Sequence, residues 1–140
     1  MNTINITWER FHQDTRALIK QLPRGFASII AVSRGGLVPA TIIAHELNIR
    51  MIETLCIESY DENKQRGSLL HITKFPRLMP SPVLVVDDTI STGKTIESVQ
   101  KVLTAHYAVV YAKPTETQFI DTFSVKVEQD TWLVFPWEKK

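Results

Sequence analysis

The sequence predicts an α/β fold, with a central, mainly parallel sheet, helices on both faces and a small hood or flap. Short apolar runs of strand length, at residues 28–32, 83–86 and 108–112, alternate with segments whose apolar residues recur at helical spacing. That alternation favours parallel strands joined by helical crossovers. Polar, turn-forming segments fall at strand ends, at residues 33–36, 60–67 and 87–95. Ligands of such sheets bind beyond the C-terminal ends of the strands.

Residues 7–22 are expected to form an amphipathic helix. Trp8, Phe11, Leu18, Ile19 and Leu22 lie near helical spacing, Thr7 can cap the start, and Pro23 and Gly25 end it. Residues 28–32 read as a buried strand and Ser33-Arg34-Gly35-Gly36 as a turn. Residues 38–47 then read as a helix that tolerates Pro39 in its first turn. Residues 49–60 are strand-like, 61–68 favour an exposed loop, and 69–73 fit a short edge strand. Pro76, Pro80 and Pro82 interrupt regular structure. The expectation is one domain over residues 1–140, with 60–82 a mobile flap region. Residues 83–86 are a continuous apolar strand, 87–93 a polar loop, and 95–106 a helix marked by Ile96, Val99, Val102 and Leu103. Residues 108–112, 123–127 and 131–135 supply the remaining strands.

The 140 residues are 44% hydrophobic and 22% charged, enough for a core that needs no staple. A formal net charge of +1 argues against a nucleic-acid partner. Cys56 has no second cysteine to pair with, so a reducing compartment is expected, and its apolar neighbours Leu55 and Ile57 imply a buried packing role. No basic stretch followed by an apolar run marks the N-terminus, and no apolar stretch approaches the ~20 residues that span a bilayer. The protein is therefore expected to be cytoplasmic with no integral membrane contact, peripheral association at the inner membrane being the alternative.

The chemistry concentrates in residues 83–95. An apolar strand delivers two adjacent acids, Asp87 and Asp88, a loop of Thr89, Ile90, Ser91, Thr92 and Gly93 follows, and Lys94 and Thr95 lead into a helix. Free N–H groups and the dipole at a helix N-terminus favour phosphate. Ser91, Thr92 and Thr95 add hydroxyl donors, and Gly93 allows close approach of the backbone. Two acids beside a phosphate site make sense if they accept hydrogen bonds from sugar hydroxyls or hold a cation. The plainer alternative is that they cap the loop and helix. A Walker A loop is excluded, because its first glycine would fall on Asp88.

This stretch resembles the phosphoribosyl-pyrophosphate loop of type I phosphoribosyltransferases: apolar residues, two acids, a variable segment, then Thr-Gly and Thr. Four further stretches resemble the bacterial xanthine–guanine (6-oxopurine) branch of that family. They are Ile30-Ala31-Val32-Ser33-Arg34-Gly35-Gly36-Leu37-Val38-Pro39, Ser59-Tyr60-Asp61, Ala112-Lys113-Pro114, and Gln129-Asp130-Thr131-Trp132 with Pro136-Trp137. They occur in the same order and cover almost the whole chain.

The resemblance implies the type I phosphoribosyltransferase fold and purine salvage. A 6-oxopurine (guanine, xanthine or hypoxanthine) would displace pyrophosphate from carbon 1 of the ribose, with Mg2+ as cofactor. It implies that Arg34 and Gly35 bind pyrophosphate, that the Ser33–Arg34 peptide is cis, and that Arg66, with Lys64 as a weaker candidate, closes over pyrophosphate from the loop. Asp87 and Asp88 match the acids facing the ribose hydroxyls, and Asp88 also matches a position linked to the metal. Thr89 and Ile90 lie in the ribose-5-phosphate loop, and Ser91, Thr92, Gly93, Lys94 and Thr95 match the 5′-phosphate cradle. Lys113 matches the donor to the purine 6-oxo group, Trp132 the stacking aromatic, and Leu133 the residue whose backbone meets the base edge. Trp8 and Trp137 are expected to be packing residues. The partners implied are phosphoribosyl pyrophosphate, a purine base and further copies of the chain, as a homodimer or homotetramer.

The chain departs from the family at three places. Ser91 stands where an aspartate near the purine N7 is usual, and losing a positioned base costs about 10²–10⁴ in rate. Phosphoribosyltransferases for adenine and orotate use no acid there. A hydroxyl at Ser91 can still bond N7, as a purine contact, or relay a proton through water. Lys94 replaces a common second glycine. The chain ends at Glu138-Lys139-Lys140, where the related enzymes usually continue, which leaves dimer versus tetramer open. Ser91 keeps two alternatives in play: a sensor that binds phosphoribosyl pyrophosphate or a nucleotide without turnover, and a transferase for another base.

Overall fold

A computed structural model describes residues 2–60, 69–74, 78–90 and 93–138. The apolar runs form a six-stranded sheet in the order β4-β3-β2-β5-β6-β7. Its members are β2 (Ser28–Ser33), β3 (Ile52–Tyr60), β4 (Leu69–Lys74), β5 (Val83–Asp87), β6 (His106–Ala112) and β7 (Thr122–Lys126). All neighbouring pairs are parallel except β3 with the edge strand β4.

The central strands read as unbroken apolar runs because both faces are covered. Ile29, Ala31, Leu84, Val86, Ala108 and Val110 point to one core, together with Phe11, Leu18 and Ile43. The first two helix residues belong to α1 (Trp8–Gln21) and Ile43 to α2 (Leu37–Leu47). Ile30, Val32, Val83, Val85, Tyr107 and Val109 point to the other core, against Ile96 and Val99 of α3 (Gly93–Gln100). The alternation follows from the two-residue period of a strand.

Helix α1 starts where the sequence signals it, with the Thr7 hydroxyl accepting from the Arg10 N–H at 3.1 Å. Helix α3 is shorter than its spacing predicts. It ends at Gln100, Leu103 packs from the following turn, and His106, expected to close the helix, opens β6 instead. Cys56 lies on β3 and is half-buried, less than the buried packing role expected for it.

A second, two-stranded parallel sheet joins β1 (Thr3–Asn5) to β8 (Trp132–Val134), with Ile4 opposite Leu133. It holds the two ends of the chain together and forms the hood. An aromatic cluster fastens it to the main sheet: Phe135 stacks on Trp137 at 4.9 Å, and Phe11 meets both rings edge-on at 6.0 and 4.9 Å. Trp8 packs on Trp137 at 5.8 Å, in keeping with the packing role expected of both, although Trp8 stays largely exposed. The buried Tyr111 of β6 adds its ring to Phe135 and donates its hydroxyl to Asp14 Oδ2 at 2.5 Å, tying α1 to β6. Phe11 is central to this arrangement and fully buried. Phe11→Ala is expected to lower unfolding free energy by about 3–5 kcal/mol, measured by denaturant titration.

Candidate functional site

Strands β2, β5 and β6 are adjacent and parallel, so their C-terminal ends deliver three loops to one edge of the sheet. The loop after β2 begins with a cis Ser33–Arg34 peptide. It then turns tightly into α2, with Gly36 N–H donating to Val32 O at 2.8 Å and Leu37 N–H to Arg34 O at 3.1 Å. Both glycines sit in close packing, Gly36 against backbone and Gly35 against a side chain. A Cβ on Gly36 would collide with the Val86 carbonyl oxygen and lie 2.7 Å from Val32 O. A Cβ on Gly35 would collide with the Asp88 carboxylate, only 2.6 Å from its Cγ. The Arg34–Gly35 segment and the acid pair, far apart in sequence, therefore touch.

Asp87 closes β5, and its Oδ1 accepts from the Asp88 N–H at 2.8 Å. Asp88 Oδ1 accepts in turn from the Thr89 N–H at 2.6 Å. The Asp88 carbonyl oxygen receives the N–H groups of Val110 (3.1 Å) and Tyr111 (2.9 Å). That backbone clamp on β6 fixes where the Asp88 side chain emerges. Asp88 is buried, and Asp87 keeps part of its surface in solvent. Burial pushes the Asp87 carboxyl well above the usual carboxylate range, and the neighbouring Asp88 carboxylate pushes it further. Burial raises Asp88 too, opposed by hydrogen bonds from Asp87 and the Thr89 N–H, and Glu138 adds a further upward push.

The Thr89 hydroxyl is buried without a hydrogen-bond partner among the described residues. The Ile90 side chain sits in the core, which leaves only its backbone for a ligand. Gly93, Lys94 and Thr95 form the first turn of α3. Ser91, Thr92, Lys64 and Arg66 lie outside the described residues.

Lys113 follows the end of β6 and is half-buried, and Arg34 is exposed. The ion pairs among the described residues join Arg10 to Asp14 and Arg16 to Glu46, so neither Arg34 nor Lys113 has a carboxylate within 4.0 Å among them. Trp132 is 56% exposed on β8, an unusual exposure for an indole, with Leu133 half-buried beside it. The turn after Lys113 is tied to the approach to β8, because the Thr115 N–H and hydroxyl both donate to Gln129 Oε1, at 3.1 and 2.9 Å.

Two acids escaped the sequence reading. Glu138 reaches Asp88 electrostatically from the C-terminal segment, and Glu116 is fully buried behind Lys113. Neither carries a local motif. Glu116 lies three residues beyond Lys113, and the path of the chain brings Glu138 towards Asp88.

Because the fold raises the Asp87 pKa, its ionisation opposes folding as pH rises from the carboxylate range towards the raised value. Asp87→Asn removes that opposition while its Oδ1 can still accept from Asp88. Its thermal midpoint is expected to exceed wild type at neutral pH, with the gap closing as pH falls to the usual carboxylate range.

The chain matches the family described as "Phosphoribosyl transferase domain" over residues 5–139. It is 43% identical over 139 residues to a xanthine-guanine phosphoribosyltransferase of Desulfotalea psychrophila, covering 97% of this chain and 86% of that protein. The crystal structure of a purine phosphoribosyltransferase from Pyrococcus horikoshii matches at TM-score 0.81 and 29% identity, covering 100% of this chain and 96% of the other. A xanthine-guanine-hypoxanthine phosphoribosyltransferase of Helicobacter pylori shares the fold at TM-score 0.80 and 23% identity, covering 98% and 94%.

Proposed function

The chain belongs to the phosphoribosyltransferase family, and from that premise we propose that it serves purine salvage, transferring the 5-phosphoribosyl group of phosphoribosyl pyrophosphate to a 6-oxopurine. The observation that carries this reading is the contact of Gly35 with the Asp88 carboxylate, which makes the loop after β2 and the acid pair one site. The 43% identity to a protein named for xanthine and guanine supports an oxopurine acceptor.

In the reaction, the bond between ribose carbon 1 and pyrophosphate breaks, and its electron pair leaves with pyrophosphate. A ring nitrogen of the base bonds to the same carbon and the base loses a proton. Negative charge grows on the leaving group, and the Arg34 guanidinium and the backbone N–H of Gly35 meet it there. Asp87 and Asp88 accept hydrogen bonds from the ribose hydroxyls. The 5′-phosphate rests on residues 89–95 at the N-terminus of α3, where N–H groups and the dipole favour an anion. Thr89, with its buried hydroxyl still to be satisfied, supports that role.

Lys113 donates to the 6-oxo group and disfavours a 6-amino group, which would present donors to a donor. Trp132 stacks on the purine, and the backbone of Leu133 meets its edge. Ser91 bonds the purine N7 or relays its proton to water. Arg66, outside the described residues, would bind pyrophosphate and help to exclude water from the reacting sugar.

The acid pair fits Mg2+: two hard carboxylates lie side by side, and a cation would relieve their mutual repulsion. No group of three or more His, Cys, Asp or Glu side chains gathers there among the described residues, so Asp88 would share the ion with substrate oxygens and water. When bound, the ion supplies neutralisation of charge on the pyrophosphate oxygens. A homodimer or homotetramer in the cytoplasm completes the proposal. Among the described residues no helix is long and apolar enough to cross a membrane.

The test offers guanine, xanthine, hypoxanthine and adenine separately, with Mg2+ and phosphoribosyl pyrophosphate, and follows nucleotide and pyrophosphate together. Turnover with oxopurines is expected, with adenine slower by about 100-fold or more. Binding of phosphoribosyl pyrophosphate without turnover on any base would replace the enzyme by a sensor.

A further inference from the structure

Beyond Ala112 the chain turns through Lys113, Pro114 and Thr115 to Glu116. Residue 116 closes this turn twice. Its N–H donates to the Lys113 carbonyl oxygen at 2.9 Å, and its Oε2 accepts from the Lys113 N–H at 2.9 Å. The side chain is 0% exposed, and Oε1 has no hydrogen-bond partner among the described residues. A carboxylate is a demanding group to bury when a serine or asparagine would close a turn as well. Burial raises its pKa, and the Lys113 N–H and ammonium act in the opposite direction. The same turn is held from its other side by the paired hydrogen bonds from Thr115 to Gln129 Oε1, and Gln129 leads into Trp132.

We propose that Glu116 is a positioning residue for base recognition: it fixes the backbone of Lys113 and, with the Thr115–Gln129 link, sets that lysine relative to Trp132. The inference rests on the reading of Lys113 and Trp132 as the base-binding pair. It adds a residue that governs affinity for the base without touching it. The physical reason is leverage. A lysine side chain reaches its target through four torsions, so a small rotation of its backbone moves the ammonium by ångströms. A misplacement of about 1 Å costs up to ~10²-fold in a site that depends on alignment.

The experiment compares wild type with Glu116→Ala, Glu116→Gln and Gln129→Ala. Calorimetry measures binding of GMP and of ribose 5-phosphate, and kinetics give separate KM values for guanine and phosphoribosyl pyrophosphate. Glu116→Ala is expected to weaken GMP and raise the guanine KM about tenfold, with ribose 5-phosphate affinity and the phosphoribosyl pyrophosphate KM within about twofold of wild type. Glu116→Gln, whose amide oxygen still accepts from the Lys113 N–H, is expected to restore wild-type values. Gln129→Ala, an exposed position, should show the same selective loss in milder form. Should Glu116→Ala not fold, the Gln129→Ala split decides the question.

Equal weakening of both ligands, no weakening of either, or failure of the glutamine variant to restore base affinity overturns the proposal. These results leave the salvage reading intact when wild type turns over. Wild-type protein that binds GMP no tighter than ribose 5-phosphate overturns the base site itself and this inference with it.

Discussion

The site depends on how closely the Asp88 carboxylate approaches Gly35. No side chain fits between them as they stand, so a residue larger than glycine at that position must push the Asp88 carboxylate aside. The Asp88 carbonyl oxygen meanwhile binds two N–H groups of β6. One residue thus ties together the ends of three neighbouring strands, each of which contributes to the site. The resulting electrostatics suit binding rather than stability. Burial raises the proton affinity of both acids and the Asp88 carboxylate raises that of Asp87 further, and a sugar, a cation or both would relieve them.

The side of the site proposed to take the base is built by a different device. The hood pairs the first and last strands of the chain, and its attachment is aromatic: Phe135 and Trp137 close on Phe11 and Tyr111. Packing of this kind holds β8 steady while Trp132 stays exposed at its start. The Thr115–Gln129 link then connects that strand's approach to the turn carrying Lys113. The groups proposed for pyrophosphate and those proposed for the base therefore rest on separate supports that meet at β6.

The central strands were legible because burial on both faces leaves an unbroken apolar run, as in Val83-Leu84-Val85-Val86. The acid pair was legible as the end of an apolar run, and both side chains accept loop N–H groups, the capping use that the sequence also allowed. Strand β1 was not legible: Thr3-Ile4-Asn5 is short and mostly polar, and it exists only by pairing with a strand at the far end of the chain. The end of α3 was misread because Val102 and Leu103 continue the helical spacing after the helix itself has stopped. Glu116 and Glu138 carry no pattern: the burial of Glu116 and the approach of the exposed Glu138 to Asp88 follow from the fold. The Gly35–Asp88 contact belongs to the same class: Gly35 was singled out as a phosphate-loop residue, but its neighbour could be named only from the fold.

The most direct test of this account is a calorimetric titration of phosphoribosyl pyrophosphate with Mg2+ into wild type and Gly35→Ala. The added methyl group must displace the Asp88 carboxylate. Affinity is expected to fall by about 100-fold in a variant that remains soluble with a wild-type circular dichroism spectrum. Wild-type affinity in that variant would contradict the claim that the loop after β2 and the acid pair form a single site.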